Sequence, residues 1–284
     1  MFPVSEMVFK FWKYAQLEWE KQGLEVGIAI LSYSMSHYRI PTLQPEHSAT
    51  FIAVGPGKDA AFPIQLIQAI HALKHLLSIG CNLSDIQLVG DSAGGNLVAQ
   101  LLLHMVHPLP LPSNLVPPLD LLPGARLRGV YMMSPWVSLS DPGQWGSSIH
   151  TKDNDIIIYK TARRWGDIYV NNIGNGVLSN VSPAQLLPYA EPILAPNNWY
   201  SHLPKIVNRI LVSAGKEERL LNQVQALFDN KIKPYFGDVD GTLVLQDGGV
   251  HDDPMLDFAV SDVPLGNPLT AVVVEWIKEG FIKE

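Results

Sequence analysis

The stretch Ile86-Gln87-Leu88-Val89-Gly90-Asp91-Ser92-Ala93-Gly94-Gly95-Asn96-Leu97 limits the possible folds more than any other part of this chain. A short apolar run of strand length ends in small residues, and the helical spacing of Leu97, Val98, Leu101, Leu102 and Met105 then takes over. A buried strand feeding directly into a helix is the repeating unit of a parallel α/β sheet. The turn between them is so tight that only residues without bulky side chains fit beside Ser92. Gly90 and Gly94 meet that demand, and Ala93 and Gly95 keep the surroundings small. Such a turn lifts the Ser92 hydroxyl above the sheet and leaves it at a helix N-terminus. Orphan N–H groups and the positive dipole end favour developing negative charge there.

The alternation continues along the chain. Strands are predicted at Val26–Tyr33, Ile86–Val89, Gly129–Met133, Ile210–Ala214 and Gly241–Gln246. Helices are predicted at Ile64–Leu77, Gly94–Val106, Arg219–Phe228 and Leu269–Glu279. Residues 1–20, with Phe9, Phe11, Trp12, Tyr14 and Trp19 among charges, read as a helix packing one face on a sheet. The expectation is one α/β domain over residues 1–284, with a mostly parallel sheet and helices on both faces. The length of 284 residues and an apolar content of 47% suit a core of that size. Three segments break the pattern. His107–Pro118 is a proline-rich crossover that reads as a stiff surface loop. Residues 141–204 are long, irregular and rich in aromatics (Trp145, Tyr159, Trp165, Tyr169, Trp199, Tyr200), and they read as an inserted substrate cap or as packing on the core. Ser36–Ala61 is unpatterned where a short connection is expected.

A serine hydroxyl needs a base, and that base needs a carboxylate to fix its tautomer. The Gly-x-Ser-x-Gly turn at a strand–helix junction reads as the nucleophile elbow of serine hydrolases, against the alternative of an ordinary glycine-rich turn. In that arrangement the partners follow in the order serine, acid, histidine, each on a loop after a strand. Strand Ile210–Ala214 exits into Gly215-Lys216-Glu217-Glu218, and strand Gly241–Gln246 into Asp247-Gly248-Gly249-Val250-His251. Of nine histidines, His251 alone follows the acid loop in that order.

Gly90-Asp91-Ser92-Ala93-Gly94-Gly95-Asn96, Ser134-Pro135-Trp136, Ser213-Ala214-Gly215 and Gly248-Gly249-Val250-His251-Asp252 together resemble the hormone-sensitive-lipase-like (alpha/beta-hydrolase-3) branch of the α/β-hydrolases. Within that branch the likeness is to fungal esterases of the steryl acetyl hydrolase type. The resemblance implies an α/β-hydrolase fold and carboxylic-ester hydrolysis through an acyl-enzyme. It implies Ser92 as nucleophile, His251 as general base, Glu218 as triad acid with Glu217 as runner-up, and the Ala93 N–H as an oxyanion donor. It also implies a small or medium-sized apolar ester as substrate, acetyl esters first.

Two departures from the family stand out. A His-Gly-Gly-Gly string, which would complete the oxyanion hole, does not occur in the sequence. With Ser36–Ala61, its absence leads us to expect an N-terminally incomplete reading frame with a lost first exon and a retained intron. Apolar surface would then lie uncovered around Val26–Leu31. The alternative function is an impaired hydrolase-like binding or pathway-accessory protein, with a lyase or dehydratase role on the same scaffold as a weaker third.

Other classes find little support. A net charge of −7 without a basic block offers nothing to nucleic acid or anionic membrane. No apolar run has the length of a signal peptide or membrane anchor, which points to a soluble, cytoplasmic chain. The single cysteine, Cys81, reads as a loop thiol. His71 and His75, and His104 and His107, have helical spacing but lack a zinc-protease glutamate, so they read as helix-surface residues. No metal and no cofactor is expected, and the sequence leaves oligomeric state open.

Overall fold

The computed structural model describes residues 4–32, 48–54, 62–119, 121–171, 173 and 181–282. Helix α1 (Val4–Glu20) precedes β1 (Val26–Ser32) and β2 (Ser48–Val54); α2 (Ile64–Ser78) leads to β3 (Ile86–Asp91) and α3 (Ala93–Val106) to β4 (Gly129–Met133). A long segment containing α4 (Tyr159–Asn171) and α5 (Pro183–Ala190) reaches β5 (Ile210–Gly215). Helix α6 (Leu221–Leu227), extended by further helical turns to Asp240, then reaches β6 (Gly241–Gln246), and α7 (Pro268–Ile282) follows. The six strands form one parallel sheet in sequence order, β1-β2-β3-β4-β5-β6.

That order decides which helices cover which face. Crossovers between parallel strands are right-handed, so a sheet that grows in one direction lays its connecting helices on one side. Leu88, Val130, Met132, Ile210 and Val212 accordingly pack with α2, α3 and α6. Val89, Tyr131, Met133 and Leu211, the alternate residues of the same strands, face α1 and α7. On α1 the buried stripe Val8, Phe11, Trp12, Ala15, Trp19 follows helical spacing, and burial of each large side chain contributes about 1.5–3 kcal/mol. The Trp19 indole N–H donates to the Val274 carbonyl of α7 at 3.0 Å. All six residues of β3 are buried, because both faces of this central strand are covered.

Several expectations require correction. The Ser36–Ala61 segment is not patternless: β2 lies within it, paired in parallel between β1 and β3. Thr50, Phe51, Ile52 and Val54 are strand formers whose signal is masked by the flanking Pro41, Pro45 and Pro56. Residues 36–47 and 55–61 lie outside the described residues. Val26 and Ala29, expected to be uncovered, are buried. His104 is not a surface residue: its Nδ1 accepts the Leu109 N–H at 3.0 Å and its Nε2 lies 3.3 Å from the Pro117 carbonyl. It thereby clamps the proline-rich crossover, in which Leu109 and Val116 are also buried. Cys81 is likewise buried. In segment 141–204, Trp145, Tyr159, Tyr169 and Trp199 pack against the core and Tyr200 is buried within it, whereas Trp165 is exposed.

Candidate active site

The elbow forms as the small residues require. Ser92 sits between β3 and α3 with φ +50° and ψ −115°, a conformation that L-residues rarely adopt. A Cβ on Gly90 would stand 2.3 Å from the Gly94 carbonyl oxygen, so no other residue fits there without moving the backbone. A Cβ on Gly95 would meet Pro135 Cβ at 2.8 Å, which shows how closely the loop after β4 presses on the turn. The Ser92 N–H donates to the Met133 carbonyl at 2.9 Å, and the Ser92 carbonyl accepts from Trp136 N–H at 3.0 Å and Asn96 N–H at 3.1 Å. Asn96 in turn donates through Nδ2 to the Trp136 carbonyl at 2.8 Å, fixing α3 to the same loop. Ser92 and Ala93 are half-buried, and Ala93 is the first residue of α3, where N–H groups have no intrahelical acceptor.

The acid and histidine loops meet backbone to backbone. A Cβ on Gly215 would stand 2.2 Å from the Gly249 carbonyl oxygen. Lys216 N–H donates to the Gln246 carbonyl at 2.9 Å, and Glu217 N–H to the Gly249 carbonyl at 2.8 Å. This pairing turns the Glu217 side chain outward, onto Lys152 Nζ at 3.0 Å, and the Glu218 side chain inward. Glu218 is fully buried. Its Oε2 accepts the Ser134 hydroxyl at 2.6 Å and the Gly215 N–H at 3.1 Å, and it lies 3.9 Å from His251 Nδ1. Desolvation pushes its carboxyl up to about 8, against the lowering influence of His251 and the two hydrogen bonds.

His251 is buried and surrounded by acids. Its Nε2 lies 3.1 Å from Asp252 Oδ2, and among the described residues no hydrogen bond joins it to the Ser92 hydroxyl. Burial alone would lower the imidazole, but Asp252, Glu218 and Asp155 outweigh it and raise it to about 9. Asp91, the residue before the serine, is pushed up to about 8 by burial first and by Asp252 second. The structure therefore brings Glu218 and His251 together. It sets Glu217 apart and gives Asp252, not Ser92, the second imidazole nitrogen.

Sequence reasoning passed over Ser134, Asp155 and the placement of Asp252. Ser134, at φ +45°, joins the two loops, because its hydroxyl donates to Glu218 and accepts from Asp252 N–H at 3.3 Å. Its signal was the Ser134-Pro135-Trp136 string at the exit of β4. Asp155 lies in an irregular stretch without any such signal. Among the described residues no group of histidine, cysteine and carboxylate side chains is arranged to hold a metal. A groove of about 620 Å³ runs along α4, lined by Tyr159, Lys160, Arg163, Arg164 and Ile168 among others, and it shares no lining residue with this site.

A parallel sheet with helices on both faces and a strained serine at a strand–helix turn define an α/β-hydrolase. A crystal structure of an esterase from the bacterial hormone-sensitive lipase family matches at TM-score 0.56 and 23% identity, covering 79% of this chain and 63% of that one. The esterase EstE5 matches at TM-score 0.56 and 21% identity with the same coverage. Residues 52–263 match the steryl acetyl hydrolase family, and the chain belongs to that family. A Schizosaccharomyces pombe protein named as a steryl acetyl hydrolase, Mug81, is 31% identical over 111 residues, which are 39% of this chain and 26% of that protein. The chain thus spans less than two thirds of the solved and curated relatives it matches. No helix among the described residues is long and apolar enough to cross a membrane.

Proposed function

We propose that this chain is a serine hydrolase of carboxylic esters. The reading is supported by a strained, half-exposed Ser92 on the turn after β3 and a buried His251–Glu218 pair on the loops leaving β6 and β5, in a chain of the steryl acetyl hydrolase family. Ser92 Oγ attacks the ester carbonyl and gives its proton to His251 Nε2, while Glu218 orients the ring from the Nδ1 side. The Ala93 N–H donates to the oxyanion, and such a donor contributes about 2.7–4 kcal/mol to the transition state. Collapse breaks the ester C–O bond, the leaving alkoxide takes the proton from His251, and the acyl group stays on Ser92. Water then attacks the acyl carbonyl by the same route, returning the serine and releasing the acid. Because the surrounding acids raise His251 to about 9, the ring must first lose its Nε2 proton and its contact with Asp252 for this cycle to run. Family membership favours a small-molecule ester, acetyl esters first, and segment 141–204 is the candidate cap over it.

A second reading, a hydrolase-like binding or accessory protein, is favoured by the occupation of Nε2 by Asp252. Organophosphate labelling separates the two. The esterase reading expects Ser92 to be modified, with turnover of a short-chain p-nitrophenyl ester, and Ser92→Ala to lose both. Folded protein that stays unlabelled and inert overturns it in favour of the second.

A further inference from the structure

Beyond the triad, Asp155 holds an unusual place between the two loops that carry the acid and the histidine. Its Oδ1 accepts the His251 backbone N–H at 3.0 Å, and its Oδ2 accepts the Arg219 backbone N–H at 2.8 Å. One carboxylate therefore ties the histidine itself to the residue that follows Glu218, across sequence separations of 96 and 64 residues. Backbone N–H groups held by an ionised oxygen make bonds roughly twice as strong as neutral ones. Arg219 positions that carboxylate from the other side. Its Nε donates to the Ile157 carbonyl at 2.9 Å and its Nη1 to the Ile149 carbonyl at 2.8 Å, so the strap from 149 to 157 is fixed on both sides of Asp155. The remaining contact of the guanidinium, Nη2 to Asp153 at 2.9 Å, ends on a side chain that is 88% exposed.

We propose that Asp155 is a positioning residue for ester hydrolysis, holding the His251 loop and the Glu218 loop in register from the segment between β4 and β5. The inference rests on the esterase reading for its consequence in turnover, but its geometry is independent of that reading. Gly215 and Gly249 fix the approach of the two loops at their base, and Ser134 bridges them from β4. Asp155 supplies the third support, on the side of segment 141–204. Substrate held by that segment would thus bear on the base through a single carboxylate. The titratable groups facing His251 are Glu218 after β5, Asp252 on its own loop, Asp91 at the end of β3 and Asp155 on the strap. Removing the Asp155 charge takes away one of the influences that raise the imidazole.

The test uses the full chain with Asp155→Asn, which keeps the shape and one acceptor oxygen but loses the charge and one acceptor. Displacing the base should lower kcat by about 10–100-fold with KM little changed, counted per Ser92 site that an organophosphate can label. The rising limb of kcat against pH should move to lower pH. Asp153→Ala, which cuts an exposed contact on the same strap, should leave rate and pH profile as in the parent. NMR titration of the His251 ring, assigned through His251→Gln, should give a lower midpoint in Asp155→Asn. This reading needs no turnover, so an inert parent chain would sink the esterase proposal while still testing the contact. An unchanged His251 titration and an unchanged kcat per site in Asp155→Asn would overturn the inference. So would an equal loss in Asp153→Ala, since the effect would then belong to the strap as a whole.

Discussion

The serine side of the site is held by backbone sterics, with Gly90 against Gly94 and Gly95 against Pro135. The histidine side shares one such approach, Gly215 against Gly249, and adds to it acidic groups drawn from four separate segments: Asp91, Asp155, Glu218 and Asp252 around one imidazole. The first arrangement leaves no room even for a Cβ, which on Gly90 would stand 2.3 Å from the Gly94 carbonyl oxygen. The second places Asp252 Oδ2 3.1 Å from Nε2, the atom that the proposed mechanism requires for Ser92. On the proposed reading, the fold fixes the serine by close backbone approach and leaves its base to the acids packed around it.

The largest test of this contrast removes each side in turn. Ser92→Ala and His251→Ala should each lower ester turnover by about 10⁶-fold, and the double variant should be little worse, since the two act as one unit. Additive losses in steady-state assays would mean that the sides work independently. Next in size, Glu218→Ala should cost about 10⁴-fold, as loss of a triad acid does. Glu217→Ala, which loses only a surface pair with Lys152, should leave turnover near the parent and stability within about 1 kcal/mol. The reverse ranking would transfer the acid role to Glu217.

Steric support can be compared directly through two glycines. Gly90→Ala should destabilise by about 3 kcal/mol or more in chemical denaturation, because the obstructing carbonyl belongs to the elbow's own helix. Gly215→Ala should cost less, about 1–3 kcal/mol, because the Gly249 loop can shift away. That shift would still carry His251 off its acid. Equal costs would show the histidine side to be as rigid as the serine side.

The last effect is the pH dependence of stability. Asp91 and Glu218, raised to about 8, and His251, raised to about 9, all bind protons more tightly folded than unfolded. Their contribution is fully present below the unfolded values, near 4 for the carboxyls and 6.5 for the imidazole. It is lost as pH rises through 8 and 9. The thermal midpoint should therefore fall between pH 5 and 9. Asp91→Asn, which mimics the protonated carboxyl, should flatten that fall; an unaltered slope would remove Asp91 from the balance.

The same contrast explains what was legible in the sequence. The elbow was readable because its constraints lie within six consecutive residues, Gly90 to Gly95, and small residues in such a run announce close approach. Strands β3, β4 and β6 were readable from local apolar runs, and β6 begins and ends where the pattern placed it. Glu218 and His251 could be ordered by the strands they follow. Nothing local marks Asp155, whose meaning comes from partners 64 and 96 residues away. Asp252 was visible as the residue after His251 and as an alternative acid beside its ring, but its left-handed turn onto Nε2 depends on the packed loop. Strand β2 was hidden because prolines on either side masked a β-rich heptapeptide.

Ser92, Ser134 and Asp252 are the three non-glycine residues with positive φ among those described, and all of them belong to this one network. Each such conformation costs on the order of 1–3 kcal/mol. A campaign to raise heat resistance by relieving backbone strain would therefore be drawn first to these positions, where glycine relaxes the main chain. A gain at Ser92 would remove the hydroxyl that the proposed chemistry uses, and one at Ser134 the hydroxyl that bridges Glu218 and the Asp252 N–H. Selection for thermal endurance and selection for turnover would pull this molecule in opposite directions at Ser92 and Ser134, and in the same direction at Asp252, whose side chain holds Nε2.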